Sequence, residues 1–307
     1  MPDTPHRPGV LETVAELRAA AAAARAGGGN VGLVPTMGSL HDGHRSLVRR
    51  ARAECDLVVI SIFVNPMQFG PHEDFDRYPR DLAADLEACA AERADLVFAP
   101  SLTELYPVYP SPTIVHVDGL TERLCGADRP GHFDGVTTVV AKLFSVTAPC
   151  RAYFGRKDAQ QLAVVTRMAS DLTMAVDVIG CPLVREADGL ALSSRNDYLS
   201  PPDRAAAPKI FAALRAGAAL VTAGESETAP ILAAVRATLA GEPRLAPEYV
   251  ECVDAATMAP VGSINGSALI AVAVRVGGTR LIDNVGVFVE SGRVELDLGT
   301  GWVPPRT

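Results

Sequence analysis

The chain reads as an α/β protein: a Rossmann-like, doubly wound parallel sheet followed by a smaller C-terminal α+β domain. Three observations predict this. Short apolar runs rich in β-branched residues alternate with amphipathic helical stretches through the first 180 or so residues, the pattern of βαβ units. The run at 57–64 (Leu-Val-Val-Ile-Ser-Ile-Phe-Val) has almost no polar alternation and ends at Asn65-Pro66, as a strand covered on both faces would. Each polar motif, at 37–44, 65–68 and 155–161, falls just after a predicted strand, where open parallel sheets bind their ligands.

The elements follow in order. Residues 10–26 read as a helix with Val10, Val14 and Leu17 on one stripe, stopped by Gly27-Gly28-Gly29. A strand at 31–35, a glycine-bearing turn and a helix to Glu54 come next, then the buried strand at 57–64. Helices are expected at 81–93, 135–146 and 159–170, and strands at 96–100, 113–117, 152–154 and 176–179. From Ser200 the texture changes. Ser200-Pro201-Pro202-Asp203 is a helix start, with serine as cap, proline at the first position and an acid in the first turn. Helices at 203–222 and 228–240 precede β-like runs at 249–253, 268–276 and 286–289. The predicted division is a Rossmann-like domain at 1–183, a smaller α+β lid domain at 184–289 and a loose tail at 290–307. No internal repeat is visible.

A length of 307 residues suits two domains with a large buried core. The net charge of −8 argues against a nucleic-acid surface, which needs a basic footprint, and against a polybasic membrane patch. Six cysteines (Cys55, Cys89, Cys125, Cys150, Cys181, Cys252) form no C-x-x-C pair, so free thiols in a reducing cytosol are expected. A secretory signal and an apolar stretch of spanning length are both absent from this reading, which therefore expects a cytoplasmic chain without membrane partners.

The segment Met37-Gly38-Ser39-Leu40-His41-Asp42-Gly43-His44 carries the most information. It joins a strand to a helix start, where free N–H groups and a partial positive charge attract phosphate. Two imidazoles flanking Gly43 add donors to a phosphate chain. H-x-x-H also supplies two metal ligands, but no third stands nearby. Gln68, set between Met67 and Phe69, is an amide that needs partners if buried, and a ligand hydroxyl or carboxylate is one candidate beside ordinary turn chemistry. Gly155-Arg156-Lys157-Asp158 repeats the strand–glycine–charged turn layout; Asp158 and Gln161 fit a capping box, while Lys157 is either solvated or beside a phosphate. Ser193-Ser194-Arg195 is a polar loop whose hydroxyls and guanidinium suit either solvent or a triphosphate. Arg129–Gly131 and His132 form a basic turn before a helix. His6, His72 and His116 receive no role.

Together the motifs resemble the pantoate–β-alanine ligases of the nucleotidylyl-transferase superfamily. The resemblance rests on short strings in one order: 34–38 with His41, Gly43 and His44, then 61–70, 78–80, 129–135, 154–162, 189–196 and 280–284. The resemblance implies condensation of pantoate with β-alanine, with ATP converted to AMP and pyrophosphate through a pantoyl adenylate. It implies ATP contacts from Pro35, Met37, Gly38, His41, His44, Gly155, Lys157, Asp158, Val184, Leu192, Ser193, Ser194 and Arg195. Pantoate and β-alanine fall to Gln68, Gln161, Met37, Asn65, Tyr78 and Arg129. His44 is the family's proton-donor position, with His41, Lys157, Ser193 and Arg195 completing the catalytic set. Mg²⁺ is expected with the triphosphate, and Asp85 is the weak candidate for a protein ligand. The resemblance also implies a homodimer. Closure of the smaller domain or of the Ser193 loop is expected, because an acyl adenylate must be shielded from water. Competing readings are a cytidylyl- or adenylyl-transferase acting on a phosphorylated acceptor, a non-catalytic nucleotide binder, and an RNA-charging enzyme.

Overall fold

The computed structural model describes residues 6–71 and 73–301. It forms two compact units, one of Met1–Gly155 and Val164–Cys181, the other of Arg156–Ala163 and Pro182–Thr307. The second unit takes up the chain again at Pro182. The segment 156–163, expected in the first domain, belongs to the second unit.

In the first unit the elements run β1 (Gly9–Leu11), α1 (Val14–Ala26), β2 (Val31–Thr36), α2 (Asp42–Glu54), β3 (Leu57–Ile62), α3 (Leu82–Ala91), β4 (Leu96–Phe98), α4 (Leu102–Leu105), α5 (Cys125–Asp128), α6 (His132–Thr147) and β5 (Cys150–Gly155). Helix α7 (Ala159–Asp171) and β6 (Val176–Cys181) follow. Among the described residues the six strands form one parallel sheet in the order β1-β4-β3-β2-β5-β6. The chain builds outward from β2 on one side, then returns to add β5 on the other, so the strand order reverses between β2 and β5. Those strands pair only at Gly32–Arg151 and Leu33–Ala152. Beyond that point β2 stays with β3 as far as Thr36, and β5 stays with β6 as far as Gly155. The tips therefore part into the crevice in which doubly wound sheets hold their ligands. Pro35, which has no N–H to donate, sits where the β5 ladder has ended. The core on one face joins Val34, Val58, Ile60 and Val97 of the strands to Leu47, Val48 and Ala51 of α2.

The second unit contains α8 (Pro201–Ala206), α9 (Lys209–Thr222) and α10 (Thr228–Ala240), packed on an antiparallel sheet of β7 (Leu245–Asp254), β8 (Gly266–Val276), β9 (Thr279–Glu290) and β10 (Arg293–Asp297). Ser200 caps α8 through the Asp203 N–H, as its sequence implied. The expected helix at 203–222 is two helices parted near Ala207-Pro208. The apolar stretch Pro201–Thr222 has the length and hydropathy of a membrane span, but Ile210, Phe211, Leu214, Ala218 and Val221 are buried in this unit's own core.

Four expectations are corrected. The first helix starts at Val14, not 10, because Thr13 and Glu16 form a reciprocal capping box and the residues before them join the sheet as β1. Val10 is consequently exposed. No strand forms at 113–117. The Val115 N–H is taken by Thr138 Oγ1 at 2.9 Å and the Val115 carbonyl by the Thr137 hydroxyl, so side chains of α6 replace a strand partner. The segment after Glu290 is not a loose tail as far as 301. Ser291 and Gly292, both at positive φ, make a two-residue hairpin, and Val294 and Leu296 of β10 pack on the core. Residues 302–307 of that tail, and His72, lie outside the described residues. The last strand, expected at 286–289, is the twelve-residue β9. All six cysteines are free and buried.

Candidate active site

The turn after β2 is built by a buried acid. Gly38 and Ser39 both adopt positive φ (85° and 53°), and the N–H groups of Ser39 and Leu40 turn toward α3. Asp85 of α3, 3% exposed, accepts from this turn: Ser39 N–H at 3.1 Å on Oδ2 and Leu40 N–H at 2.8 Å on Oδ1. A Cβ at position 38 would sit 2.7 Å from that carboxylate, so glycine is required there twice over. Asp85, the candidate magnesium ligand, thus has both oxygens committed to the backbone. It does not fit the role of a protein ligand for Mg²⁺, which favours carboxylates open to the ion and its waters.

The turn delivers His41 as the N-cap of α2, a position more often held by Ser, Thr, Asp or Asn. His41 Nδ1 accepts the Gly43 N–H at 3.1 Å. His44 Nδ1 in turn accepts the His41 N–H at 3.4 Å, and the two rings lie 4.1 Å apart, tilted by 35°. A ring nitrogen that accepts carries no proton. Both imidazoles are therefore assigned the tautomer with the proton on Nε2. The cap thereby fixes which atom of each ring is the donor, at a helix N-terminus beside the parted strand tips.

Below the turn, Asn65 and Gln68 form a second polar knot. Asn65, 1% exposed, donates through Nδ2 to Gln68 Oε1 (3.2 Å) and to the Gly135 carbonyl (3.0 Å). Its Oδ1 accepts from the Tyr106 hydroxyl (3.1 Å) and the Met67 N–H (3.3 Å). With its oxygen held by Asn65, Gln68 presents its NH₂, which contacts Met37 Sδ at 3.1 Å. This amide is a donor aimed toward the His turn, the polarity an anionic or hydroxyl-bearing ligand requires. Gly135 of α6 makes the close approach possible, since a Cβ there would fall 2.4 Å from the Met67 carbonyl.

Arg129 and Tyr78 play supporting parts in this geometry. The Arg129 guanidinium is committed to Glu73 (Nε to Oε1 at 2.8 Å, with a second bond through Nη2), to His132 Nε2 and to the Gln68 carbonyl at 3.3 Å. His132 Nδ1 also meets that carbonyl, at 2.7 Å. Tyr78 is buried, edge-on to Phe69. Both residues brace the Gln68 segment from behind. Burial raises the Glu73 carboxyl, but the Arg129 hydrogen bonds and charge, His132 and the Gly70 N–H outweigh it and hold Glu73 below the usual glutamate value. A depressed folded value stabilises above the unfolded one and is lost as pH falls through the folded one. Glu73→Gln should therefore cost about 1–2 kcal/mol at neutral pH. It should also remove part of the acid-side slope below pH about 4.3. Urea unfolding at pH 7 and pH 3.5 checks this: the difference between wild type and variant must shrink on acidification.

The second unit contributes its own set. Lys157 is one-fifth exposed, its Nζ 3.9 Å from Asp158 Oδ1. Its backbone is held by Asn284, whose Nδ2 donates to the carbonyls of Arg156 (3.1 Å) and Lys157 (3.0 Å). Gln161 is half-buried, and the neighbouring Gln160 is buried. Ser193 caps the turn Ser194–Tyr198, its hydroxyl accepting from the Arg195 N–H at 3.3 Å. Leu192 N–H bonds the Val184 carbonyl at 3.0 Å. Next to Val184, Arg185 is fully buried and bidentate to Asp283 (2.7 and 3.0 Å), with further bonds to the carbonyls of Gly189, Asn284 and Leu298. Asn196 Oδ1 is buried with no hydrogen-bond partner, an unsatisfied acceptor within the Ser-Ser-Arg loop.

Within the first unit the structure brings together Pro35, Met37, Gly38, His41, His44, Asn65 and Gln68; within the second, Lys157 and Asp158 lie in one turn and Val184, Leu192, Ser193, Ser194 and Arg195 in one loop system. Sequence reasoning missed Asn284 as the tether of Lys157, Arg185–Asp283, and Tyr106 and His132 as buttresses of Gln68. Asn284 carried a signal, lying in the string 280–284 after a strand-like run.

Known proteins are similar to this chain. The family model described as pantoate-beta-alanine ligase matches residues 9–286. The pantothenate synthetase of Moorella thermoacetica is 54% identical over 276 residues, 90% of this chain and 97% of the relative. That of Roseiflexus sp. is 53% identical over 275 residues, 90% and 98% of the two chains. Among solved structures, the pantothenate synthetase of Thermus thermophilus aligns with a TM-score of 0.84 at 49% identity, covering 90% of this chain and 98% of that one. The Francisella tularensis pantoate-beta-alanine ligase, complexed with beta-gamma ATP and beta-alanine, aligns at 0.73 and 30% identity, covering 90% and 97%. With a split parallel sheet, a paired-histidine cap and the match of sequence from residue 9 to 286, the chain belongs to the pantoate–β-alanine ligase family.

Proposed function

We propose that this chain carries out its family's ATP-dependent condensation of pantoate with β-alanine at the β2–β5 crevice, with the following division of labour. A pantoate carboxylate oxygen attacks the α-phosphorus of ATP, the bond to the bridging oxygen breaks, and pyrophosphate leaves. The β-alanine nitrogen then attacks the acyl carbon, AMP departs with the carbon–oxygen electron pair, and the ammonium formed loses its proton. Adenylation replaces an oxide leaving group with AMP, so no covalent enzyme intermediate is required, and the protein mainly positions and stabilises charge.

His41 and His44 donate through Nε2 to the phosphates; Lys157, Ser193 and Arg195, on the second unit, take from the same family resemblance the task of adding charge and hydrogen bonds to the nucleotide. Gly155, Asp158, Val184, Leu192, Ser194, Pro35 and Gly38 line the nucleotide. Gln68 and Gln161 hold pantoate, with Met37 beside Gln68 and with Asn65 fixing the Gln68 amide; Tyr78 and Arg129 act from behind Gln68. Magnesium accompanies the triphosphate as part of the nucleotide substrate. A homodimer and a cytoplasmic setting belong to the same proposal. One observation supports the reading above the rest: two imidazoles whose Nδ1 atoms accept backbone N–H groups of the turn, which puts each ring proton on Nε2, at the N-terminus of α2.

The test is AMP formation from ATP. It must require both pantoate and β-alanine. Pyrophosphate release with no free AMP and no need for the amine favours a cytidylyl- or adenylyl-transferase on a phosphorylated acceptor and ends the proposal. The unsatisfied Asn196 Oδ1 supports rearrangement of the Ser193 loop when nucleotide binds. Proteolytic cleavage near 193–198 should slow with ATP plus pantoate; an unchanged rate counts against loop closure.

A further inference from the structure

The last described residues lie beyond the family model, which ends at Gly286, yet they are bonded to the segments that carry Lys157 and Val184. Three contacts establish this. Thr300 bridges Val184 in parallel register: Arg185 N–H donates to the Thr300 carbonyl at 2.8 Å, and Thr300 N–H donates to the Leu183 carbonyl at 2.7 Å. The Leu298 carbonyl takes Arg185 Nε at 2.7 Å. Asp297 pairs through Oδ2 with Arg156, beside Lys157, at 2.7 Å, while its Oδ1 accepts the Gly299 N–H at 3.1 Å.

The crossing is built for close approach. Gly299 and Gly301 both have positive φ (83° and 87°). A Cβ at Gly299 would lie 2.6 Å from the Leu183 carbonyl, and one at Gly301 would lie 2.6 Å from the Arg185 carbonyl. The spacing Gly299-Thr300-Gly301 is therefore what lets the backbone seat against 183–185. Hairpin packing of Val294 and Leu296 anchors the segment from the other end. Val184 is then fixed on both flanks, with its carbonyl given to Leu192 and the backbone groups around it given to Thr300.

We propose that residues 293–301 are a positioning clamp for nucleotide binding: they hold the Val184 and Lys157 segments of this unit in the conformation that receives ATP. The proposal rests on the assignment of Val184 and Lys157 to the nucleotide. The Asp297–Arg156 pair is about half exposed, so it contributes little by itself; the backbone bridge at Thr300 is the principal element. Loss of the clamp raises the KM for ATP and spares the handling of the other substrates.

Two variants test it in the full reaction: a chain ending at Gly292, and full-length Gly301→Val, which forces the strand off Arg185 while keeping the hairpin. Both should raise the KM for ATP about tenfold, with kcat and the KM for β-alanine within twofold of wild type. Amide exchange at Arg185 should accelerate in both variants and slow again at saturating ATP. An unchanged ATP KM in Gly301→Val, with faster Arg185 exchange, overturns the clamp. So does a fall in kcat with every KM moving together, which marks a purely structural role. If the shortened chain does not fold, Gly301→Val decides alone. Failure of the assigned reaction is distinguishable, because wild type itself would then form no AMP from pantoate and β-alanine.

Discussion

His44→Ala is expected to slow AMP formation by about 10²–10³-fold, the cost of removing one preorganised donor from developing phosphate charge. The same variant should convert supplied pantoyl adenylate and β-alanine within a few-fold of wild type, because the second step releases AMP after the pyrophosphate has gone. Two consequences of the substitution must be separated. His44 also accepts the His41 N–H, at 3.4 Å, so alanine loosens the cap of α2 as well as removing the donor. A hydrogen bond of that length contributes no more than about 1 kcal/mol. The loss of rate corresponds to about 3–4 kcal/mol, so the donor role dominates. His44→Gln makes the distinction experimentally. Glutamine at the third helical position can reach back to the cap N–H as in an ordinary capping box, yet it lacks an imidazole Nε2–H. Thermal stability near wild type with a rate as low as that of alanine supports the donor role. Equal slowing of both half-reactions would place His44 in general scaffolding and remove it from the first step.

Much of this was legible in the sequence because it is local. The run 57–64, the glycine turn at 37–44 and the helix start at Ser200 announce themselves within ten residues, and each forms there, the strand ending at Ile62, two residues short of its apolar run. Periodicity failed where the decisive partner is distant or the element is too short to show a period. Strand β1 has three residues. Val115 fails to join a strand because hydroxyls of α6, more than twenty positions away, take both of its backbone groups. Strand β10 did carry a local signal, Ser-Gly between alternating apolar residues, and was passed over because the glycines around it read as a loose end.

The site shows the same division. Histidines, lysine and serines are visible as motifs because they sit together in short strings. The residues that aim them act across the fold: Asn284 on the Lys157 backbone from 127 positions away, and Asn65 on both the Gly135 carbonyl and Tyr106. No spacing rule in a single sequence encodes such contacts. A buried polar residue signals only that partners exist, not which. Asp85 shows the point: the family resemblance offers it as a candidate magnesium ligand, while in the structure the Ser39 and Leu40 N–H groups, more than forty positions away, occupy its carboxylate.

Asp85→Ala is expected to have the largest combined effect. Its carboxylate satisfies two N–H groups in a turn that already holds Gly38 and Ser39 at positive φ. Removing it orphans both, at about 1–3 kcal/mol each, so global stability should fall by about 2–6 kcal/mol. The turn relaxes toward ordinary backbone, and His41 moves with it. A displacement of about 1 Å at a reacting group suffices for a 10²-fold loss, so activity should fall by at least that much in the fraction that remains folded. Asp85→Asn keeps the shape but turns an NH₂ toward one of the two donors, and should recover less than half of the stability. Burial raises the Asp85 carboxyl more than the Leu40 and Ser39 N–H groups lower it. With the folded value above the unfolded one, its linkage contribution is complete below the unfolded value near 3.9 and declines as pH rises through the folded one. The stability of wild type relative to Asp85→Asn should accordingly decrease with rising pH above about 4, measured by urea unfolding. Added magnesium separates the two accounts of this residue. A turn-holder's loss is indifferent to the cation. If raising Mg²⁺ tenfold restores the rate of Asp85→Ala, the carboxylate is a metal ligand and its grip on Ser39 and Leu40 is incidental.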